Sequence, residues 1–490
     1  MDYLDLISKL NNEVRGGLSL DTKKALYGLD FKSIPRDYRV ELASLSSRAK
    51  YHFLGLRILS PVVVGEKSQL RDDATDLEEY EYCRLLRKIG ATEEAQNRMK
   101  NIDFERFPKA YLDLAFCSFA QWRHGEAVSW LKKYSDCKYL SDLERQEGTL
   151  HLLKAYIASQ NFEEALKLSP EILKWIEDSG HDELKCQYYS LMAEICLFNE
   201  EFDEAKANLE AAQRFLKSPF GVDSLEIDKW MGVILAKESG TMDAIEDFKS
   251  KAIALQQFES LRDSDLLQIK LDFDPKIFRK LVYGTPFDNY HKRVSQFLKL
   301  ETPLPARSPL GPGTSNPLDL YYGERDENPV FNQGKDVHRL IYCLTSDLYR
   351  PWSLGALNQA LFPNELFNVY NVPNKIHQLV HRARKELIKD ELKMEILERH
   401  NVYTMSCDDQ DLIVDLHKNI PDPNEILLSK VENTFGAKTF TSCELTDGFK
   451  QSKSATQRFL SWGVAEGRVV KHKDGRQVYY QLAKSQLKAA

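Results

Sequence analysis

A mainly α fold, a helical solenoid followed by two small α+β units, is what this chain predicts, and three observations carry the prediction. From about residue 70 to 260 apolar residues recur at three- and four-residue spacing with almost no strand-like alternation, which is the pattern of amphipathic helices. The segment ETPLPARSPLGPGTSNPLDLYYGERDENPVF, 301–331, then brings six prolines and three glycines together. Beyond it, two stretches each carry helical patterning followed by a short alternating run. At 490 residues the chain exceeds the size at which one core keeps growing. The divisions read from it are a helical N-terminal cap (1–70), helical repeats (71–300), a Pro/Gly-rich linker (301–331) and two α+β units (332–420 and 421–490).

Composition removes several function classes. With 42% hydrophobic and 11% aromatic residues the chain can bury real cores. No apolar run approaches the roughly 18 residues a membrane span requires, and the start, MDYLDLISKLNNEV, is too acidic for a secretory leader. A cytoplasmic protein without a membrane partner is therefore expected. Cysteines stand at 83, 117, 137, 186, 196, 343, 407 and 443 with no CxxC pair, so reduced, mostly buried thiols are expected and neither metal nor cofactor. No Gly-rich phosphate loop, HExxH or GxSxG occurs, which argues against an enzyme.

In the helical half, the segments AFCSFAQWRHGEAVSWL, LKAYIASQNFEEALKL, AEICLFNEEFDEAKANLEAA and GVILAKESGTMDAIEDF align on Ala127, Ala165, Ala205 and Ala244, anchors 38, 40 and 39 residues apart. Each anchor stands twelve residues after Ala115, Leu153, Ala193 or Gly232, and Leu131, Leu209 and Phe248 follow four positions later. Small residues at such anchors let antiparallel helices approach closely, and a bulky residue one turn on fills the next groove. With Phe162 and Phe202 just before the second helices, the pattern resembles the tetratricopeptide family over roughly residues 75–260, with a longer period. The stretch around Ala95 falls out of step with that period. Residues 1–70 read as helical too, with LGLRILSPVVV broken at Pro61, and cap the array. The resemblance implies a concave surface suited to a peptide or protein ligand.

So dense a run of prolines predicts no regular element over 301–331, only an extended connection that can rest on a surface through Leu318, Leu320, Tyr321 and Tyr322. A helix over about 335–348 follows, burying Val337, Leu340, Ile341, Leu344 and Leu348, and Pro351 stops it. Ser353 caps a second helix carrying Leu354, Leu357, Leu361 and Phe362. A third begins near Pro373 or Asn374 with the apolar stripe Ile376, Leu379, Val380, Ala383 and Leu387. Opposite that stripe lie Lys375, Gln378, His381, Arg382 and Lys385, with Arg384 beside them. KMEILERHNVYTM supplies two strands around a turn at Asn401. VHRARKEL followed by MEILERHNVYTM resembles the winged helix-turn-helix effector domain of response regulators, over roughly 335–407. Two departures are the long loop NELFNVYNV and His400-Asn401 where the wing usually has glycine. The resemblance implies that the third helix enters the major groove while the hairpin touches phosphates, so these six polar residues are the expected DNA contacts. His377 and His381 lie one turn apart, but without further ligands they define no metal site.

The second unit repeats the plan. EILLSKVENTF gives a first helix, Thr441 or Ser442 caps CELTDGF, and SKSATQRFLSWGVAEG supplies the third helix, expected to end at Gly463 with Trp462 in the core. RVVKHKDGRQVYYQL is a hairpin around Asp474-Gly475. The whole resembles the compact winged helices of small bacterial repressors, which implies DNA contacts from Lys453, Ser454, Gln457, Arg458 and Ser461 on the helix and Lys471, Lys473 and Arg476 on the wing. Gln pairs with adenine edges and Arg with guanine.

Charge supports that assignment. Residues 331–490 hold 22 Lys+Arg against 19 Asp+Glu, and the last 55 hold 10 against 4, while the whole chain is −7. An acidic body with a basic end suits a protein that meets a polyanion at one end. The expected function is that of a bacterial-type transcriptional regulator: the array senses a peptide, protein or small ligand and controls two winged-helix readers of double-stranded DNA. Two units on one chain, or four in a homodimer, would cover adjacent turns of duplex. The alternative is a protein–protein scaffold subunit whose winged helices bind partner proteins.

Overall fold

The computed structural model describes residues 3–14, 17–65, 73–219, 221–313, 316–407, 410–416, 420–475 and 477–483. After α1 (Tyr3–Glu13) and α2 (Leu20–Tyr27), six helical hairpins follow. They are α3/α4 (Arg36–Arg48, His52–Val63), α5/α6 (Asp76–Lys88, Thr92–Met99), α7/α8 (Lys109–Ala120, His124–Ser135), α9/α10 (Asp142–Ala158, Phe162–Ser179), α11/α12 (Asp182–Phe198, Phe202–Arg214) and α13/α14 (Val222–Ser239, Asp243–Ala254). Each packs on the next, and α15 (Phe258–Leu271), α16 (Pro275–Tyr283) and α17 (Asp288–Phe297) end the array. No described helix is long and apolar enough to cross a membrane.

All six hairpins turn through one left-handed residue, Lys50, Gly90, Trp122, Gln160, Glu200 or Gly240, with φ between 57° and 85°. In five of them the next amide reaches back to the carbonyl five residues earlier: Tyr51 to Ser46, Ala91 to Leu86, Arg123 to Ser118, Asn161 to Tyr156 and Glu201 to Cys196, all at 2.8–2.9 Å. This Schellman closure satisfies the helix-end carbonyls. Five residues after each left-handed residue comes the inward position of the second helix: Gly55, Ala95, Ala127, Ala165, Ala205 and Ile245, all buried. A Cβ on Gly55 would lie 2.9 Å from Leu85 Cδ2, so the close helix approach is real there. Three expectations change. The fourth anchor is Ile245, not Ala244, which is only half-buried because it lies one position from the inward stripe. The hairpin around Ala95 shares the common register, and the array begins at α3. Pro61 does not break α4, which runs to Val63, because a proline in the last turn removes few backbone bonds.

The proline-rich stretch contributes β1 (Arg307–Leu310), β2 (Leu318–Asp319), β3 (Glu324–Arg325) and β4 (Asn328–Pro329). The first α+β unit follows as α18 (Asp336–Ser346), β5 (Trp352–Ser353), α19 (Leu354–Leu361), α20 (Val372–Lys389), β6 (Glu395–Arg399), β7 (Val402–Ser406) and β8 (Leu412–Asp415). β8 enters the earlier stretch to give a five-stranded sheet ordered β1-β8-β2-β3-β4, while β5, β7 and β6 form a second sheet. The short strands replace the expected structureless connection because β8 supplies their partner and Leu310, Leu318 and Leu320 sink into the core. One apolar cluster runs from Leu6 through Leu85 and Leu318 to Leu340, Ile376 and Val414. Array, proline-rich stretch and first unit therefore share a core.

The terminal unit is α21 (Pro423–Phe435), α22 (Ser442–Gly448), α23 (Lys453–Ala465), β9 (Val469–Asp474) and β10 (Gln477–Leu482). It has its own cluster of Leu428, Val431, Phe440, Leu445, Phe459, Leu460, Val469, Tyr480 and Leu482. α23 runs past Gly463 to Ala465; a Cβ on Gly463 would stand 2.8 Å from Val469 Cγ2, so that glycine admits β9 rather than stopping the helix.

Candidate nucleic-acid interface

Both units present three helices and then a hairpin. In the first, Ser353 Oγ accepts from the Ala356 amide at 3.3 Å and so caps α19. The β6–β7 hairpin closes on His400 and Asn401, at φ 53° and 62°, with Arg399 opposite Val402. Two consecutive positive φ values make a type I′ turn, whose twist suits the hairpin, and it is achieved without glycine.

The polar face of α20 divides. Gln378, His381 and Lys385 are exposed and make no ion pair among the described residues. Lys375 instead bridges to Glu365 at 2.7 Å and lies over the Phe362 ring. Arg382 is 3.9 Å from Asp336. Arg384 is half-buried, donating Nη2 to the Ile396 carbonyl at 2.9 Å and thereby fixing β6 against α20. His377 Nδ1 lies 2.8 Å from the Tyr403 hydroxyl, which ties α20 to β7; burial raises that phenol's pKa.

A feature absent from the sequence reading is the seat of α19. Ser353 Oγ also donates to the Ile89 carbonyl at 2.6 Å, and the Gly355 amide donates to the same oxygen at 3.2 Å. Glu94 accepts from the Phe367 amide at 2.7 Å, and Gln359 accepts from the Glu93 amide at 2.8 Å. The start of α19 is thus plugged onto the α5–α6 turn. A second joint lies after α18. Asp347 takes both Oδ contacts from Arg262 Nη2, at 2.7 and 2.9 Å, and the Tyr349 hydroxyl donates to Asp265 at 2.6 Å. Arg350 donates Nη1 to the Ala120 carbonyl at 2.6 Å and Nε to Glu259 at 3.0 Å. These partners are 84 to 273 residues apart, so no local pattern could announce them.

The terminal unit is different in kind. Thr441 and Glu444 form a capping box on α22, and Ser452 Oγ caps α23. Lys453, Ser454, Gln457, Arg458 and Ser461 are all exposed on α23. Lys453 and Arg458 have no carboxylate partner among the described residues, nor do Lys471 and Lys473 on exposed β9. Trp462 is half-buried against Phe459, 5.9 Å between rings. In the hairpin, Asp474 pairs with Gln477, so Asp474 ends the strand and Gly475, at φ 59°, opens the turn one residue later than expected. Arg476 lies outside the described residues. All eight cysteines are unbonded. No protein-family model and no curated protein matches this chain.

Proposed function

We propose that the chain is a DNA-binding transcriptional regulator whose terminal unit is a winged helix that lays α23 in the major groove and β9 along the adjacent phosphates. The tetratricopeptide-like array holds an input ligand, and the first unit, a second winged helix, is the rigid joint between input and output. The observation that carries this reading is the set Lys453, Arg458, Lys471 and Lys473, four exposed cations without acidic partners on the third helix and wing of a separately cored unit. Such cations meet phosphate without first breaking an internal pair, and Gln457 can address base edges.

A specific observation favours the protein-binding alternative for the first unit. In helix-turn-helix docking the helix before the recognition helix crosses the DNA backbone, and here that helix, α19, has its start committed to Ile89. Of the contacts expected from this unit, Gln378, His381, Arg382 and Lys385 remain exposed for DNA. Anisotropy titration of a labelled duplex with the full chain tests both halves. Charge reversal at Lys453, Arg458, Lys471 and Lys473 should abolish binding at about 0.1 M salt, whereas Lys385→Ala should cost less than tenfold. Full retention of binding in the quadruple variant would refute the assignment.

A further inference from the structure

Helix α16 carries Lys276, Arg279 and Lys280 at positions i, i+3 and i+4, a spacing that puts all three cations on one face. With Leu310, Gly311 and Pro312 at the end of β1, and Leu348 after α18, they line a cleft of about 380 Å³. Array, proline-rich stretch and first unit meet there, and the Leu348 amide donates to the Gly284 carbonyl just past α16 at 3.0 Å. Leu310, Pro312 and Leu348 give the cleft an apolar wall.

The cations of this face have no counter-ion. Lys276, Arg279 and Lys280 make no ion pair among the described residues, and no carboxylate among those residues lines the cleft. Asp274 is engaged as the cap of α16, accepting the Lys276 amide at 2.6 Å. Asp411 is 3% exposed and accepts the Gly313 amide at 2.6 Å. Lys276 is exposed, while Arg279 and Lys280 are half-buried. Lys280 Nζ lies 5.6 Å from the centre of the Tyr349 ring, which offers a π face and no charge. Like charges one helical turn apart repel, so the empty face carries a cost that an anion in the cleft removes. Three positive charges suit a ligand with more than one negative charge, and a guanidinium beside two ammonium groups matches the oxygens of a phosphate. We propose that this cleft binds a small organic phosphate, its phosphate held by Lys276, Arg279 and Lys280 and its apolar body against Leu310 and Leu348.

As the input of the regulator this site rests on the function proposed above; as a binding site it does not. Calorimetry of the full chain at about pH 8, where a phosphate monoester is a dianion, uses phenyl phosphate, inorganic phosphate and benzylamine. Phenyl phosphate should bind saturably with a Kd below about 1 mM. Inorganic phosphate, which lacks the apolar body, should bind about fivefold more weakly, and benzylamine should not bind. Lys276→Glu should weaken phenyl phosphate at least about tenfold. An acid in the first helical turn suits the helix dipole, so the fold should hold. Lys276→Gln removes the charge without reversing it and should weaken binding about threefold, which keeps the test open should Glu perturb α16. Cys407 at the edge of the cleft is followed by Asp408 and Asp409, which lie outside the described residues. Asp408→Asn with Asp409→Asn should change the affinity less than about threefold; a larger gain would make them internal counter-ions and overturn the proposal. No phenyl phosphate binding up to about 10 mM, equal binding of inorganic phosphate, binding of benzylamine, or an unchanged affinity in Lys276→Glu would also overturn it. A Lys276→Glu loss of duplex affinity, without phenyl phosphate binding to the unaltered chain, would assign these cations to DNA instead. Because calorimetry uses no DNA, failure of DNA recognition leaves the site untouched, and phosphate binding without effect on duplex affinity contradicts only its coupling to DNA.

Discussion

Removing the Asp347 carboxylate should loosen the joint between array and first unit without touching the terminal unit. Arg262 is fully buried, and Asp347 is its bidentate partner while also accepting from the Tyr349 and Arg350 amides at 3.0 and 2.9 Å. Breaking a buried pair costs about 3–5 kcal/mol because the surviving charge is left in a poor solvent. Glu259 still holds Arg262 Nη1 at 2.7 Å, so the low end applies. Asp347→Ala should therefore cost about 3 kcal/mol, which corresponds to about a 150-fold loss of protection from amide exchange. Asp347→Asn keeps an oxygen for the two amides and should fall in between. Native-state hydrogen exchange reads the effect in α15 and α18, with Phe459 in α23 as the unaffected control. A change below threefold in α15, or an equal loss in α23, would refute both the magnitude and the separation of the cores.

Other outcomes follow from individual contacts. Gly355→Ala places a Cβ 2.5 Å from the Ile89 carbonyl oxygen and 2.6 Å from the Ala91 nitrogen, backbone atoms that cannot swing aside; it should cost about 1–3 kcal/mol and speed proteolysis at the α5–α6 turn. Burial lowers the pKa of His124 from 6.5 to about 4. The unfolded chain then binds more protons between these values, so this group stabilises fully above pH 6.5 and the benefit is lost as pH falls toward 4. His124→Leu should remove roughly 3 kcal/mol of that pH dependence in urea melts, and an unaltered slope would contradict the burial. Thr441→Ala deletes one half of the α22 capping box and should cost the terminal unit about 1 kcal/mol while sparing the array.

The sequence pattern revealed what depends on local spacing. Three helices and a hairpin were legible in each C-terminal unit because Ser353 and Thr441 are strong caps and the strands alternate. The hairpin register of the array was legible from small residues, yet its fourth anchor slipped by one because Gly240-Thr241-Met242 lacks the shared helix start. Lys50, Trp122, Gln160 and Glu200 occupy left-handed positions usually filled by glycine, so the turn residue itself carries no sequence signal there; Schellman bonds hold the strain instead. The five-stranded sheet escaped because β8 comes from beyond the β6–β7 hairpin, and strands of two residues carry no period. Within the candidate site, exposure of the α23 cations followed from helical phase alone. The pairing of Lys375 with Glu365 and the burial of Arg384 did not, since loop and wing geometry decide them.

The central claim concerns where the cations meet a polyanion, and the salt dependence of duplex affinity tests it most directly. Four phosphate contacts from Lys453, Arg458, Lys471 and Lys473 give a slope of log affinity against log salt of about −4. The double variant Lys453→Ala, Arg458→Ala should show about −2. An unchanged slope in that variant, or a wild-type slope near zero, would contradict the account.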